Sequence, residues 1–313
     1  MNREIRIGTR SSQLAQWQAN TVKQLLEKDG HTVRLVLIDS TGDQDISKPL
    51  HQLGTIGLFT KTLDEAMLRG EIDLAVHSLK DVPTDLHPEI YQAAVLERGD
   101  HYDVLVHKNE SSDFLQDSVE ATIATGSLRR KAQWLARYPQ HTIVSLRGNV
   151  NTRLSKLDQN NWQGAVFAKA GLSRINVLPD KHVVLKWMIP APAQGAIMIT
   201  ALKSDIEIKQ ICRSLNHETS ALCVNIERAF MKTLEGGCTA PIGAKAEIVG
   251  NKILFKGGIY SLDGKEKVVV DEEAPLEEAN SLGEKIANKI LMSGGKALLE
   301  QIKKEILEEQ TNE

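Results

Sequence analysis

The feature that most constrains this chain is an alternation of short strand patterns with amphipathic helical ones. It runs once from Glu4 to His77 and starts again after Asp103. Glu4-Ile5-Arg6-Ile7-Gly8 reads as a strand. A helix follows from about Gln13 to Asp29, with Leu14, Trp17, Val22, Leu25 and Leu26 on its apolar face and Gly30 as its stop. Val33 to Ile38 is a second strand, Thr60 caps a short helix ending at Gly70, and Asp73-Leu74-Ala75-Val76-His77 is a short buried strand. Strands joined through helices pair mostly in parallel, so this unit is α/β. The restart places strands near Thr122-Ile123-Ala124, Thr142 to Ser145 and Ala165-Val166-Phe167, with helices capped by Ser127 and beginning at about Asn149. A second α/β unit of similar build is expected.

The run Ile189-Pro190-Ala191-Pro192-Ala193-Gln194-Gly195 reads as an interdomain crossing, and Ala196 to Leu202 as a strand returning to the first sheet. Ile206 to Leu234 is helical, with a break near Asn216-His217. Beyond Cys238 the pattern changes to strands at Lys245–Val249, Lys252–Ser261 and Lys265–Asp271, joined by Gly250-Asn251 and Asp263-Gly264 turns, then helices from Leu276 interrupted by Gly294-Gly295. The expected division is residues 1–98 with 196–215, residues 103–191, and an α+β unit over 218–313, in keeping with a length of 313 residues.

Composition narrows the function. A net charge of −3 opposes nucleic-acid binding. No apolar run approaches the roughly 18 residues of a membrane span, and the N-terminus runs into a strand pattern without a signal-peptide core. Cys212, Cys223 and Cys238 have neither disulfide-scaffold nor metal-ligand spacing, so no metal is expected and the cytosol is the expected compartment. Cys212 and Cys223, eleven residues apart on one helical pattern, read as core, and His77 as a satisfied, partly buried histidine.

Between Ala121 and Pro179 there are nine lysines and arginines but one acid, Asp158. A charge run is usually a solvated helix face. Here the cations sit at element starts: Arg129 and Arg130 follow the cap Ser127, Arg147 follows a strand, Arg153 lies one turn into a helix, and Arg174 follows Ala170-Gly171-Leu172. Ligands of open α/β sheets bind beyond the carboxyl ends of strands, where helix N-termini present N–H groups to anions. Arg10-Ser11-Ser12 occupies a like position; alone it is a serine cap with an incidental arginine, but with the other arginines it suggests two units facing one anion-filled cleft. Lys80-Asp81 lies just past a buried strand, where Asp81 is either a turn acid or a carboxylate able to accept an N–H and stabilise a developing cation. Cys238, in Leu234-Glu235-Gly236-Gly237-Cys238-Thr239-Ala240-Pro241, is a thiol on a glycine hinge after a long helix. Together these features suggest an anion held on a covalent tether.

Four segments carry a family resemblance: His77-Ser78-Leu79-Lys80-Asp81-Val82-Pro83, Ser127-Leu128-Arg129-Arg130, Ser145 to Leu154, and Leu234-Glu235-Gly236-Gly237-Cys238. Their order and spacing resemble the porphobilinogen deaminases, also called hydroxymethylbilane synthases, over nearly the whole chain. The resemblance implies two α/β domains like type II periplasmic binding proteins plus a small C-terminal α+β domain, in a monomer. It implies one dipyrromethane cofactor joined by a thioether to Cys238. Four molecules of the substrate porphobilinogen would be added head to tail with loss of ammonia, and hydrolysis would release hydroxymethylbilane on the route to haem and other tetrapyrroles. Asp81 matches the catalytic carboxylate. Lys80, Ser127, Arg129, Arg130, Thr125 and Arg153 match cofactor-binding positions. Arg10, Ser12, Arg147, Arg153, Arg174, Gln194, Lys61 and Phe59 match substrate-binding ones.

Each pyrrole carries an acetate and a propionate, which suits an arginine-rich cleft. A free thiol with a pKa of about 8.5 is mostly protonated at neutral pH, and a helix C-terminus does not lower it, so cationic neighbours must activate Cys238. Two segments depart from the family pattern. Gly54-Thr55-Ile56-Gly57-Leu58-Phe59 replaces Gly-Gly-Lys-Gly-Leu-Phe, and Asp100-His101-Tyr102-Asp103 replaces Asp-x-Arg-Asp, each losing a cation. Normal cofactor attachment with altered substrate affinity or elongation rate is expected. The competing reading, a polycarboxylate-binding module without catalysis, would need neither Cys238 nor Asp81.

Overall fold

The computed structural model describes residues 3–38, 60–108, 112–116, 119–234 and 240–311. The expected glycine-bearing segment 53–59, with Ile56 and Phe59, and the hinge cysteine Cys238 lie outside the described residues.

The first sheet is fed by β1 (Ile5–Thr9), α1 (Gln13–Lys28), β2 (Val33–Leu37), α2 (Lys61–Leu68), β3 (Leu74–Ser78) and β4 (Ile90–Val95). The chain then enters a second sheet through β5 (Asp103–His107), β6 (Thr122–Ala124), α3 (Leu128–Arg137), β7 (Thr142–Val144), α4 (Val150–Gln159), β8 (Gly164–Ala168), α5 (Lys169–Arg174) and β9 (His182–Val184). It returns through β10 (Ile197–Leu202) and α6 (Ile206–Arg213). The long helix α7 (Glu218–Thr233) precedes β11 (Ile242–Val249), β12 (Lys252–Tyr260), β13 (Lys267–Pro275), α8 (Ala279–Ile290) and α9 (Lys296–Thr311).

The first two sheets share one plan. Their strand orders are β2-β1-β3-β10-β4 and β7-β6-β8-β5-β9. In each, the fourth position is held by the strand next to a crossing between the sheets, and that strand runs antiparallel to both neighbours. The other four strands of each sheet run one way, so both open toward the same kind of edge. This is the two-unit α/β architecture expected from the alternation, with β11-β12-β13 forming the small antiparallel sheet of the α+β unit. Ala196 to Leu202 does return to the first sheet, as β10.

Some boundaries and elements differ from expectation. The sequence reading had no β4, β5 or β9; β4 and β5 are the strands beside a crossing, and β9 is a three-residue edge strand. The strand expected from Lys245 begins at Ile242, because β11 pairs with β12 as far as Ile242↔Ile259. The strand expected at Lys265–Asp271 is shifted to Lys267–Pro275, its register set by Lys252↔Pro275 and Tyr260↔Lys267. The break near Asn216-His217 separates α6 from α7. The one at Gly294 is a left-handed residue, φ 97°, between α8 and α9.

Apolar clusters fill each unit and the seam between them. Ile5, Ile7, Val22, Leu26, Leu74 and Ile199 pack inside the first unit with Cys212, and Phe230, Phe255, Ile259 and Ile286 inside the third with Cys223. Both cysteines are therefore core, as expected. A further cluster joins Leu79 and Val82, just past β3, to Ala193 and Ala196 of the crossing and Ala221 and Val224 of α7.

Candidate active site between the two sheets

The candidate residues arise where strands end and helices begin. Ser12 caps α1, accepting from the Ala15 N–H at 3.3 Å. Ser127 caps α3 through the Arg130 N–H at 3.4 Å, and Asn149 caps α4 through the Thr152 N–H at 2.9 Å. The first turns of α1 and α4 meet across the gap, where the Asn151 side chain donates to Gln13 Oε1 at 2.8 Å. Helix N-termini thus open on the space between the sheets, as an anion site requires.

Lys80 and Asp81 form a single 3-10 turn, Leu79–Asp81, at the carboxyl end of β3. Asp81 is exposed and Lys80 half-buried. Burial pushes the Lys80 ammonium down to about 8; the Arg130 and Arg129 cations press the same way, while Asp81 and Asp103 oppose them. Burial likewise pushes Arg153 down to about 10, with Arg130 and Arg147 adding to the effect and Asp81 opposing it. Asp81 and Lys80 of the first unit therefore share one electrostatic space with Arg130 and Arg153 of the second. The cleft holds more positive charge than its own carboxylates neutralise.

Arg129 and Arg130 have a second engagement. Both are buried, and both guanidiniums reach Asp103, at 2.8 Å from Arg129 and 2.7 Å from Arg130. Arg129 also donates to the Ile189 carbonyl at 2.8 Å and Arg130 to the Val166 carbonyl at 2.9 Å. Burial works to raise Asp103, but the two guanidiniums outweigh it and hold the carboxyl far below its usual range. Gln194, also buried, donates to Asp103 at 3.0 Å and to the His101 carbonyl at 2.9 Å. Two arginines against one carboxylate leave one net positive charge at the wall of the cleft.

The remaining candidates are distributed around this centre. Arg10 directly follows β1, and its charge, after burial, helps push the buried His77 down to about 4. His77 itself pairs with Thr200 Oγ1 at 3.1 Å, the satisfied histidine expected from the sequence. Arg147 is buried directly before Gly148. Arg153 donates to the Gly148 carbonyl at 2.7 Å. Arg174 donates to the Gly195 carbonyl at 2.6 Å and lies 5.6 Å from the Trp17 ring centroid, and burial pushes it down to about 10. Thr125 is buried beside Gly126 and accepts from the Ser127 N–H at 3.3 Å. Lys61 stands exposed at the first position of α2, and nothing described links it to the Asp81 group.

Three residues absent from the sequence reading hold this arrangement together. Arg98 follows β4 and pairs with the buried Glu227 of α7, while Arg228 donates to carbonyls of the Asp81 turn. A carboxylate on the buried stripe Cys223, Val224, Glu227, Phe230 was a readable signal. At the departed hinge, Lys245 of β11 lies 5.5 Å from the Tyr102 ring centroid, so a cation from the third unit stands against the residue that replaces the pattern's arginine. No group of three or more His, Cys, Asp or Glu suited to a metal occurs among the described residues.

Comparison with known proteins bears on this geometry. Residues 5–210 match the family model described as porphobilinogen deaminase, dipyromethane cofactor binding domain, and residues 221–292 match the porphobilinogen deaminase C-terminal domain. The porphobilinogen deaminase of Pelobacter propionicus is 40% identical over 289 residues, covering 91% of this chain and 93% of its own. That of Geotalea uraniireducens is 42% identical over 284 residues, covering 89% and 88%. The probable porphobilinogen deaminase of Methanocaldococcus jannaschii is 40% identical over 291 residues, covering 90% and 98%. Among solved structures, the methionine-binding protein MetQ aligns with a TM-score of 0.43 at 16% identity, over 70% of this chain and 92% of its own. With both family models matched in order and such relatives aligned over about nine-tenths of its length, the chain belongs to the porphobilinogen deaminase family.

Proposed function

We propose that this chain condenses four porphobilinogen molecules, head to tail and with loss of ammonia, onto a dipyrromethane primer held by Cys238, and then releases hydroxymethylbilane. The observation that carries this reading is the shared electrostatic space of Asp81, Lys80, Arg130 and Arg153. A dipyrromethane carries two acetates and two propionates, and the cleft has the complementary charge, with Lys80 and Arg153 pushed by burial below their ordinary values. Lys80, Arg153, Ser127 and Thr125 would hold the primer, with the net positive charge of the Arg129–Arg130–Asp103 group behind them. Arg10, Ser12, Arg147, Arg174 and Gln194 would serve the incoming pyrroles.

When bound, the primer supplies an electron-rich pyrrole α-carbon as nucleophile. Asp81 accepts the pyrrole N–H of the incoming porphobilinogen and stabilises the positive charge that develops on that ring as ammonia leaves its aminomethyl carbon. Its exposure leaves it accessible to substrate. The cations fix each ring by its carboxylates, which sets orientation before bond formation. Lys61 and Phe59 would also serve substrate binding, as the family resemblance implies. We also propose a cytosolic monomer that binds neither nucleic acid nor membranes; composition and cysteine usage support the compartment and the excluded partners, and the family resemblance supports the monomer.

The test is intact mass of the purified, denatured protein beside its Cys238→Ser variant, before and after adding porphobilinogen. An excess equal to two linked pyrroles, lost in the variant, is the expected result. A bare polypeptide mass that porphobilinogen does not change would remove the enzymatic reading in favour of a polycarboxylate-binding module. Asp81→Asn separates the two readings independently: a binder keeps its affinity, whereas the enzyme keeps its fold and loses turnover.

A further inference from the structure

The Asp81 turn is short. Leu79–Asp81 is a single 3-10 turn, closed by one backbone bond from the Val82 N–H to the Leu79 carbonyl at 3.2 Å. One turn of this kind has poor hydrogen-bond geometry and little rigidity of its own. Since Asp81 is exposed, the direction of its carboxylate depends on the backbone beneath it rather than on packing around it.

That backbone is gripped from below by α7. Arg228 Nη1 donates to the Val82 carbonyl at 2.9 Å and, more weakly, to the Leu79 carbonyl at 3.4 Å, while Nη2 donates to the Pro83 carbonyl at 2.5 Å. The three acceptors bracket Lys80 and Asp81 on both sides. Leu79 and Val82 pack against Ala221 and Val224 of the same helix. A rigid helix thus fixes both the apolar and the polar side of the turn. A planar guanidinium is the one side chain whose forked donors can hold several carbonyls in fixed relative positions.

We propose that Arg228 is a positioning residue for the condensation: by fixing the Leu79–Pro83 backbone it aims the Asp81 carboxylate at the reacting pyrrole. The inference rests on the role proposed above for Asp81. A merely structural arginine at a domain seam would affect stability and leave the turnover of the folded enzyme alone. A positioning residue lowers kcat in molecules that are folded and loaded.

Arg228 also lines a cavity of about 320 Å³ with Thr84, Leu86, Gln92, Met198 and Lys232, so a small cation can enter beside it. This makes chemical rescue possible. The experiment compares wild-type, Arg228→Ala and Arg228→Lys holoenzymes, with cofactor loading checked by intact mass. Arg228→Ala is expected to lose kcat on the order of 10²-fold, the scale of a 1 Å misplacement, with KM unchanged. Guanidinium ion at non-denaturing concentration restores part of that loss, sodium at equal ionic strength does not, and Arg228→Lys falls between the two.

Full kcat in loaded Arg228→Ala, or a loss confined to KM or to melting temperature, overturns the proposal. Should the alanine variant fail to load, Arg228→Lys carries the same test, and wild-type kcat there overturns it. Asp81→Asn distinguishes the two layers. Retained turnover in that variant refutes the role of Asp81 itself, whereas loss there together with full activity in Arg228→Ala refutes only the positioning role.

Discussion

Arg98 and Glu227 meet in a two-pronged ion pair, Nη1 to Oε1 at 2.6 Å and Nη2 to Oε2 at 3.1 Å, with Glu227 wholly buried. The same carboxylate accepts from the Ala193 N–H and the Ala246 N–H, each at 2.7 Å. One side chain of α7 therefore ties together the exit of the first sheet, the return crossing and β11 of the third sheet. Ala193 is held with φ 62°, a left-handed conformation that costs a non-glycine residue about 1–2 kcal/mol unless its surroundings impose it. The bond to Glu227 is one such constraint.

Glu227→Ala removes the counter-charge of a largely buried guanidinium and strands two buried N–H groups. Breaking a buried pair from one side costs about 3–5 kcal/mol, so a large drop in unfolding free energy by denaturant titration is expected. An unchanged midpoint would remove the ion pair from its place at the junction.

Asp103 presents the same physics with two arginines. Asp103→Asn leaves Arg129 and Arg130 facing each other without their shared carboxylate, at an expected cost of about 3–5 kcal/mol. The pH dependence has a definite sign. The folded-state carboxyl of Asp103 is held far below its unfolded value, so its contribution is complete above the ordinary carboxylate range and is lost as pH falls through that range toward the depressed folded value. Acid titration of stability should show a steeper loss in wild type than in Asp103→Asn, and parallel curves would contradict the assignment.

The sequence was most informative where chemistry sits at element ends. Lys80-Asp81 after β3, Ser127 before α3 and Asn149 before α4 all lie where strand and cap patterns put them. Much less readable was how the arginines divide their work. Arg129 and Arg130 look alike with Arg153 as cations in an acid-poor stretch. Yet the first two meet Asp103, from a segment more than twenty residues earlier, and only tertiary structure brings that carboxylate to them. Of the strands beside the crossings, β10 is legible as a return to the first sheet, whereas β4 and β5 are not. β5 holds in the second sheet the position that β10 holds in the first, but its partners β8 and β9 come from segments much later in the chain, and no local periodicity records that.

Lys80 gives a pH prediction for binding. Its ammonium is pushed down to about 8 and is therefore charged below that pH and increasingly neutral above it. A neutral amine does not hold a carboxylate, so the primer is held less firmly and kcat should fall as pH increases through 8. Arg stays charged in this range, so Lys80→Arg should flatten that fall even if it changes the absolute kcat. An equally steep profile in the variant would assign the titration to another group.

Two glycines of the second unit make a controlled pair. A Cβ on Gly126 would lie 2.5 Å from the Leu146 carbonyl oxygen, whereas one on Gly171 would meet only Leu14 Cδ2, at an ordinary 3.7 Å. Gly126 sits between Thr125 and the helix cap Ser127, and Leu146 directly precedes Arg147. The alanine side chain must therefore push the end of β6 away from the segment after β7, moving cap and arginine apart. Overpacking of this kind costs about 1–3 kcal/mol. Gly126→Ala should accordingly lower stability and, because it displaces Ser127 relative to Arg147, weaken substrate binding as well. Gly171→Ala lies inside α5, where exchanging glycine for alanine gains up to about 1 kcal/mol of backbone entropy, so that variant should unfold at equal or higher denaturant. If the two variants shift stability and KM alike, the close approach of β6 to residue 146 is not what shapes this wall of the cleft.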